Sequence, residues 1–357
     1  MQHAAPAEKP PERLGVQAGQ PRGASRPAEK PPVGLGQLAL PRGQLALVAQ
    51  PPLRAQQHTA PRRVRRARRG GEGAALRGAR SAAELLEEER TRGRVFTFCE
   101  ALDDALGGGV SSGEITEFCG CPGIGKTQLA TQLCVSTQTP EAFNGLEGEA
   151  VYVDTEGSFM AERAMDMASA LVEYLGKMTA LTPEDGGKRE MEEAMKTFTP
   201  EKILRGIHLF RCHEVTELLA VLETLGEFIA EHPKVRLVVI DSVAFHFRQD
   251  FQDMALRTTI LSKMTNRLMS IATARQVAVV TVNQVTVKPQ RDGPARLVPA
   301  LGESYAHACT TRVILSWEND DRVAFITKSP RLAQARAKYT ITAGGVRDVR
   351  GVKRAPS

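Results

Sequence analysis

The stretch Gly120-Cys121-Pro122-Gly123-Ile124-Gly125-Lys126-Thr127 reads G-x-x-x-x-G-K-T, and it constrains the fold more than any other part of the chain. Such a loop needs a strand entering it and a helix leaving it. Glu114 to Cys119 (EITEFC) supplies the strand candidate, and Lys126 to Thr137 has the spacing of the helix. The glycines let backbone N–H groups turn inward around β- and γ-phosphates, and the helix N-terminus adds a favourable dipole. Lys126 then neutralises phosphate oxygens and Thr127 offers its hydroxyl to Mg²⁺. The cofactor-binding set is therefore Gly120, Cys121, Pro122, Gly123, Ile124, Gly125, Lys126 and Thr127, with Gln128 behind it, and the cofactors are ATP and Mg²⁺. A Gly-rich turn matching by chance would require strand, loop and helix all to coincide.

The surrounding blocks alternate in the same way. Ala150 to Asp154, Ile207 to Phe210, Leu237 to Ile240 and Val277 to Val282 are apolar runs, as expected of strands covered on both faces. Phe159 to Leu175, Val215 to Ile229 and Leu256 to Ala274 have helical period, while Gly176 to Pro200 reads as a polar surface excursion. Strands alternating with helices predict an α/β fold with a mainly parallel sheet flanked by helices. Arg312 to Trp317, Arg322 to Thr327 and Tyr339 to Thr342 have strand character without helices between them, so the sheet should finish antiparallel.

A phosphate loop also needs an acid at the end of a second buried strand, and Leu237-Val238-Val239-Ile240-Asp241 provides one. Asp241 would hold Mg²⁺ together with Thr127; the other reading is a turn or cap residue. Hydrolysis further needs a carboxylate to orient the attacking water. Glu156, two residues beyond Asp154, is well placed if its strand lies next to the one entering the phosphate loop. Its other reading is an acid favoured at a helix N-terminus.

Charge divides the chain. Residues 1–80 hold fifteen Lys/Arg, four Glu and eleven of the 21 prolines, so this segment carries +11 and the remainder −5 of the total +6. PAEKPP occurs at Pro6 to Pro11 and Pro27 to Pro32, and GQLAL at Gly36 to Leu40 and Gly43 to Leu47. Such Pro-rich, repetitive sequence cannot bury enough surface to offset chain entropy, and 1–80 is expected to be a disordered basic tail. Pro61 to Gly70 packs six arginines into ten residues, a run that attracts phosphates or an import receptor, or is simply a solvated arm. Residues 81–98 read as a linker helix, 99–348 as the catalytic core and 349–357 as a short basic tail. No apolar run approaches the ~18 residues of a bilayer span, the first 30 residues contain no apolar h-region, and the six cysteines form no CxxC pair. A chain that is neither secreted nor membrane-spanning, with thiols as small core residues, is expected.

Four ordered segments carry a specific resemblance: GCPGIGKTQL, VYVDTEGSF, LVVIDS, and TVNQV followed by LVPALGESYAHACTTRVIL. From about Ser81 to Asp348 the chain resembles the RecA-like ATPase core of the RecA/Rad-fifty-one recombinases, specifically their paralogues and the C branch of these. LGGGV, KVRLVVIDSVAF and LVPALGESYAHA select that branch. The resemblance implies that Glu156 and Lys126 are catalytic, that Gln284 senses the γ-phosphate and passes its state to DNA-binding loops, and that Arg163 packs near the adenine. It places a first DNA-facing loop at His246 to Met254, with Arg248, and a second at Thr286 to Pro299. The second holds Lys288, Arg291 and Arg296, with Gly293 and Pro294, a composition suited to a mobile segment gripping a phosphate backbone, or to an ordinary polar loop. Phe245, Phe247 and Phe251 are either stacking residues or core. Phe325 to Pro330 resembles a segment capping ATP across a protomer interface.

Family members begin with a small helix-hairpin-helix domain, and residues 1–80 show no such helical period. The resemblance implies a DNA-dependent ATPase of homologous recombination and double-strand break repair. It would bind single-stranded DNA and recombination intermediates, join other paralogues, promote assembly of the strand-exchange recombinase, and act in the nucleus, with a cytoplasmic pool also compatible. An ATP-binding assembly scaffold without hydrolysis and a RecA-like helicase are the other readings; a pure scaffold has no need of Glu156 and Gln284.

Overall fold

The computed structural model describes residues 80–349 except 185, 250–252 and 291–292. The expectations for the Pro-rich tail, the Arg62 to Arg69 run and the basic end beyond Val349 fall outside the described residues.

Helix α1 (Ala82–Thr91) opens on a reciprocal cap, in which Ser81 Oγ accepts from the Glu84 N–H and the Glu84 carboxylate accepts from the Ser81 N–H. None of its residues is buried. The sequence reading extended this linker to residue 98, but the helix stops at Thr91, and Val95 and Thr97 are already buried. Val95 belongs to a small two-stranded sheet in which β1 (Arg94–Val95) pairs antiparallel with β2 (Val110–Ser111) across α2 (Glu100–Ala105). The main alternation follows: β3 (Ile115–Gly120), α3 (Lys126–Ser136), β4 (Glu149–Asp154), α4 (Ala161–Leu181), α5 (Lys188–Thr197), α6 (Pro200–Arg205), β5 (Ile207–Arg211), α7 (Val215–Glu231) and β6 (Val235–Asp241). After it come α8 (Ala244–Gln249), α9 (Met254–Arg275), β7 (Ala278–Gln290), β8 (Gly293–Pro299), α10 (Gly302–Ala308), β9 (Thr311–Glu318), β10 (Asp321–Lys328), β11 (Arg336–Thr342) and β12 (Gly345–Asp348).

The strands assemble in the order β12-β11-β10-β9-β3-β7-β6-β4-β5, with β8 pairing the far end of β7. Pairs from β9 through β5 are parallel, and β9-β10-β11-β12 finish antiparallel, as the sequence predicts. Alternation along the strands explains why their sequences are apolar throughout. Leu237 and Val239 of β6, with Ala150 and Tyr152 of β4, enter one core cluster, which also holds Leu129 and Leu133 of α3. Val238 and Ile240, with Val151 and Val153, enter the other, against Leu222 of α7 and Leu268 of α9. Both faces are covered, so neither set of alternating positions can be polar. Each fully buried Leu or Ile contributes roughly 1.5–3 kcal/mol.

Three sequence expectations require correction. Gly176 to Pro200 is not a surface excursion, because α4 continues to Leu181 and α5 follows; Met178, Met191 and Phe198 are buried in a third cluster with Leu171 and Leu175. The apolar residues of α5 occur about once per turn among lysines and glutamates, which conceals the helical face. Strand β5 is a sheet edge, not a doubly covered strand, and Leu209 is 38% exposed. Thr286 to Pro299 is an antiparallel hairpin of β7 with β8 instead of an irregular loop. The Asp292-Gly293 pair between two runs of extended character was the sequence signal for a hairpin.

Candidate active site at the carboxyl ends of the strands

Parallel register brings the expected residues to one edge of the sheet. Gly120 at the end of β3 lies opposite Gln284 of β7, Asp241 of β6 lies opposite Val282 of β7, and Asp154 of β4 lies opposite Asp241. This is the end at which open α/β sheets carry their ligands. The condition set for Glu156 does not hold, however: β7 and β6 stand between β3 and β4. Glu156 reaches the centre through the loop after β4, folded by Asp154, whose two carboxylate oxygens accept from the Ser158 and Phe159 N–H groups at 3.1 Å each.

In the phosphate loop Gly123 has φ +78°, and a Cβ there would meet no atom within 4 Å, so the backbone borders open space. Gly125 caps α3 at φ +106°, where a Cβ would fall 2.2 Å from Ile341 Cδ1. Both positions need glycine for conformation. Lys126 Nζ donates to the Cys121 carbonyl at 2.9 Å. Burial lowers its pKa, opposed by the charges of Asp241 and Glu156.

Asp241 is buried and accepts on Oδ2 from Thr127 Oγ1 and from Tyr152 OH, both at 2.7 Å. Burial raises its pKa, the two hydrogen bonds lower it, and Glu156 and Asp154 raise it further. A divalent cation fits this donor set: one hydroxyl and one desolvated carboxylate, touching each other, are the sparse protein share that Mg²⁺ accepts while keeping water and phosphate ligands. Tyr152 orients the carboxylate, a contribution that sequence reading missed; its one signal was a polar-tipped aromatic at an inward-facing strand position.

Glu156 stands in a chain of hydrogen bonds. Its Oε1 accepts from Ser242 Oγ and, at 2.9 Å, from Gln284 Nε2. Gln284 Oε1 in turn accepts from Arg248 Nη1 at 2.7 Å. The glutamate, the glutamine and the first-loop arginine are thus one connected unit. Arg163 lies elsewhere: its guanidinium donates to Gln128 Oε1 at 2.7 Å, to the Thr342 carbonyl at 2.6 Å and to the Ala343 carbonyl, tying α4 to α3 and to the turn between β11 and β12.

Of the segment expected to face DNA first, His246 to Gln249 lie in the short helix α8 and Met254 opens α9. Phe247 and His246 are buried, with the His246 Nε2 and the Cys212 carbonyl 3.0 Å apart, so Phe247 is core; Phe251 lies outside the described residues. In the hairpin, Lys288 and Arg296 face each other in register. Arg291 lies outside the described residues. Beneath the hairpin a cavity of about 670 Å³ opens against α9 and α10, and Arg257, Lys288 and Arg312 are among the residues that line it. Arg257 was not singled out by sequence, where one arginine on an amphipathic helix carries no signal. Lys328, in the segment resembling an interface cap, donates to the carbonyls of Ala306, His307 and Cys309 at the end of α10.

The comparisons with known proteins agree with this architecture. A family model described as Rad51 matches residues 91–173 and 190–349. The DNA repair protein RAD51 homolog 3 of Cricetulus griseus is 46% identical over 277 residues, covering 77% of this chain and 74% of that protein. Its Dictyostelium discoideum counterpart is 38% identical over 271 residues, 75% of this chain and 69% of the relative. The DNA repair and recombination protein RadA of Metallosphaera sedula is 30% identical over 273 residues, 75% of this chain and 76% of the relative.

Proposed function

The chain belongs to the Rad51 family, RecA-type ATPases of DNA recombination and repair, and from that premise we propose that it is a paralogue that binds ATP·Mg²⁺, couples turnover to single-stranded DNA and helps load the strand-exchange recombinase within a paralogue complex in the nucleus. The observation that carries this reading is the junction at Glu156, where a carboxylate beside the phosphate loop is hydrogen-bonded to Gln284, which continues into the hairpin strand. A site for nucleotide binding alone would not require that connection.

In this reading the phosphate-loop N–H groups and Lys126 hold the β- and γ-phosphates, and Gln128 and Arg163 brace the start of α3. Thr127 and Asp241 would hold Mg²⁺, which would neutralise phosphate charge. Glu156 orients the attacking water and accepts its proton as the γ-phosphoryl group is attacked. Gln284 changes partner with the state of the γ-phosphate and moves β7, so the cations on the hairpin and α8 grip or release the DNA backbone. Lys288, Arg291, Arg296 and Arg248 are the cations proposed for that surface, and Arg257, on the cavity wall beneath the hairpin, joins them. Nucleotide binding shifts a population between two arrangements of the hairpin, consistent with slow turnover.

The test is ATP binding by the full chain and its Lys126→Ala variant, followed by turnover with and without single-stranded DNA. Lost binding in the variant and DNA-stimulated turnover in the parent are expected. Binding retained in Lys126→Ala would refute the phosphate-loop assignment. ATP binding without DNA-dependent turnover would favour an assembly scaffold.

A further inference from the structure

We propose that Arg248 is a positioning residue that latches Gln284 onto Glu156 in the DNA-free protein, and that an approaching polyanion opens the latch by drawing Arg248 away. This rests on the reading of Glu156 as the water-orienting carboxylate.

The geometry is directional. The Gln284 amide turns its oxygen to the Arg248 guanidinium and its N–H₂ to the Glu156 carboxylate. The opposite orientation would set donor against donor at Arg248 and acceptor against acceptor at Glu156. One amide therefore bridges a cation and an anion that do not touch, and the cation fixes which way it faces. On Glu156, Oε1 already receives Ser242 Oγ as well as Gln284 Nε2. An oxygen accepting two hydrogen bonds is a poorer acceptor for a water proton, so the latched arrangement holds turnover down.

The same arrangement makes the latch easy to open from outside. Arg248 is exposed, and its partner is a neutral amide oxygen. Arg257 lies near enough to Arg248 for the repulsion between them to lower the Arg257 pKa, behind the effect of burial. A phosphate entering between them would relieve that repulsion and replace an amide acceptor by a charged one, to which hydrogen bonds are about twice as strong. Losing Arg248 frees Gln284 to rotate, and Glu156 loses one of its two donors.

The experiment measures steady-state ATP turnover by the full chain against single-stranded DNA concentration, for the parent, Arg248→Ala and Arg248→Lys, together with DNA affinity from fluorescence anisotropy. The latch predicts that DNA-free turnover of Arg248→Ala rises about fivefold, the factor set by the net strength of one hydrogen bond. Stimulation by DNA then shrinks by a similar factor, with Arg248→Lys between the two. DNA-free turnover equal to the parent's, with the change confined to DNA affinity, would overturn the latch and leave Arg248 a DNA contact. A parent that turns over no ATP in either condition would instead refute the Glu156 reading. The latch is then decided by the Gln284 side-chain amide resonance, assigned by its loss in Gln284→Ala. A shift in Arg248→Ala that Arg248→Lys partly restores supports the latch, and an unmoved resonance overturns it.

Discussion

Lys126 and Glu156 have different physical tasks, and substitutions separate them. Lys126 brings a partly desolvated ammonium to the loop, resting on the Cys121 carbonyl. Lys126→Ala is expected to weaken ATP binding at least ~100-fold, read by titration calorimetry, because several charge-assisted hydrogen bonds to phosphate are lost together. Glu156→Gln removes the base and keeps the shape. ATP affinity is expected to stay within a few-fold of the parent while turnover falls by roughly 10²–10⁴. Equal steady-state rates for parent and variant would remove Glu156 from the chemistry. Both positions could be singled out in sequence because a phosphate loop and an acid after a buried strand are short-range patterns. Tyr152 on Asp241, Ser242 on Glu156 and Arg257 on the cavity wall were not, since each gains its role from strand order.

Asp348, from the last strand, shows how distant segments stabilise a short element. Its carboxylate accepts from the Glu100 and Ala101 N–H groups at 2.8 and 3.0 Å, capping α2 across the fold. Asp348→Ala should cost about 1–2 kcal/mol in chemical denaturation, the loss of a charged N-terminal cap. Within the same element Asp103 is buried, and its carboxyl is pushed up to about 7, chiefly by burial, against hydrogen bonds from Thr97 and the Phe98 backbone and with help from Asp348. The folded state thus binds this proton more tightly than the unfolded one. Its stabilising contribution is complete below the ordinary value of 3.8 and is lost as pH rises through about 7. The stability of the parent minus that of Asp103→Asn should therefore decline from about pH 3.8 to about pH 7 and level off above that, and a flat difference would show that Asp103 stays ionised. Strand and helix identity were mostly readable here, since two covered faces force continuous apolar runs. What failed depended on cover or neighbours: α5 hid its buried Met191 among charges, β5 was taken as covered on both faces, and the hairpin was read as a loop from its Gly, Pro and cations.

Across the whole sheet, one buried ionic group joins three strands. Glu117 of β3, fully buried, accepts from Arg312 of β9 and, at 2.6 Å, from Asn283 of β7. Asn283 directly precedes Gln284, so this group also anchors the strand that bears the proposed sensor. Arg312→Ala would leave a buried carboxylate without its cation and should cost about 3–5 kcal/mol. The single tryptophan, Trp317, lies on β9 under the Arg322 guanidinium at 4.3 Å and reports that unfolding by its fluorescence. In the proposed function, coupling between nucleotide and DNA is a property of the assembled sheet, because β7 carries Gln284, beside the phosphate loop and bonded to Glu156, on into the hairpin. The measurement to make is therefore ATP turnover by the purified full-length chain with and without single-stranded DNA, with Glu156→Gln as the control. Stimulation by DNA that vanishes in the control is the result expected of a coupled ATPase; turnover indifferent to DNA, or unchanged in Glu156→Gln, would contradict it.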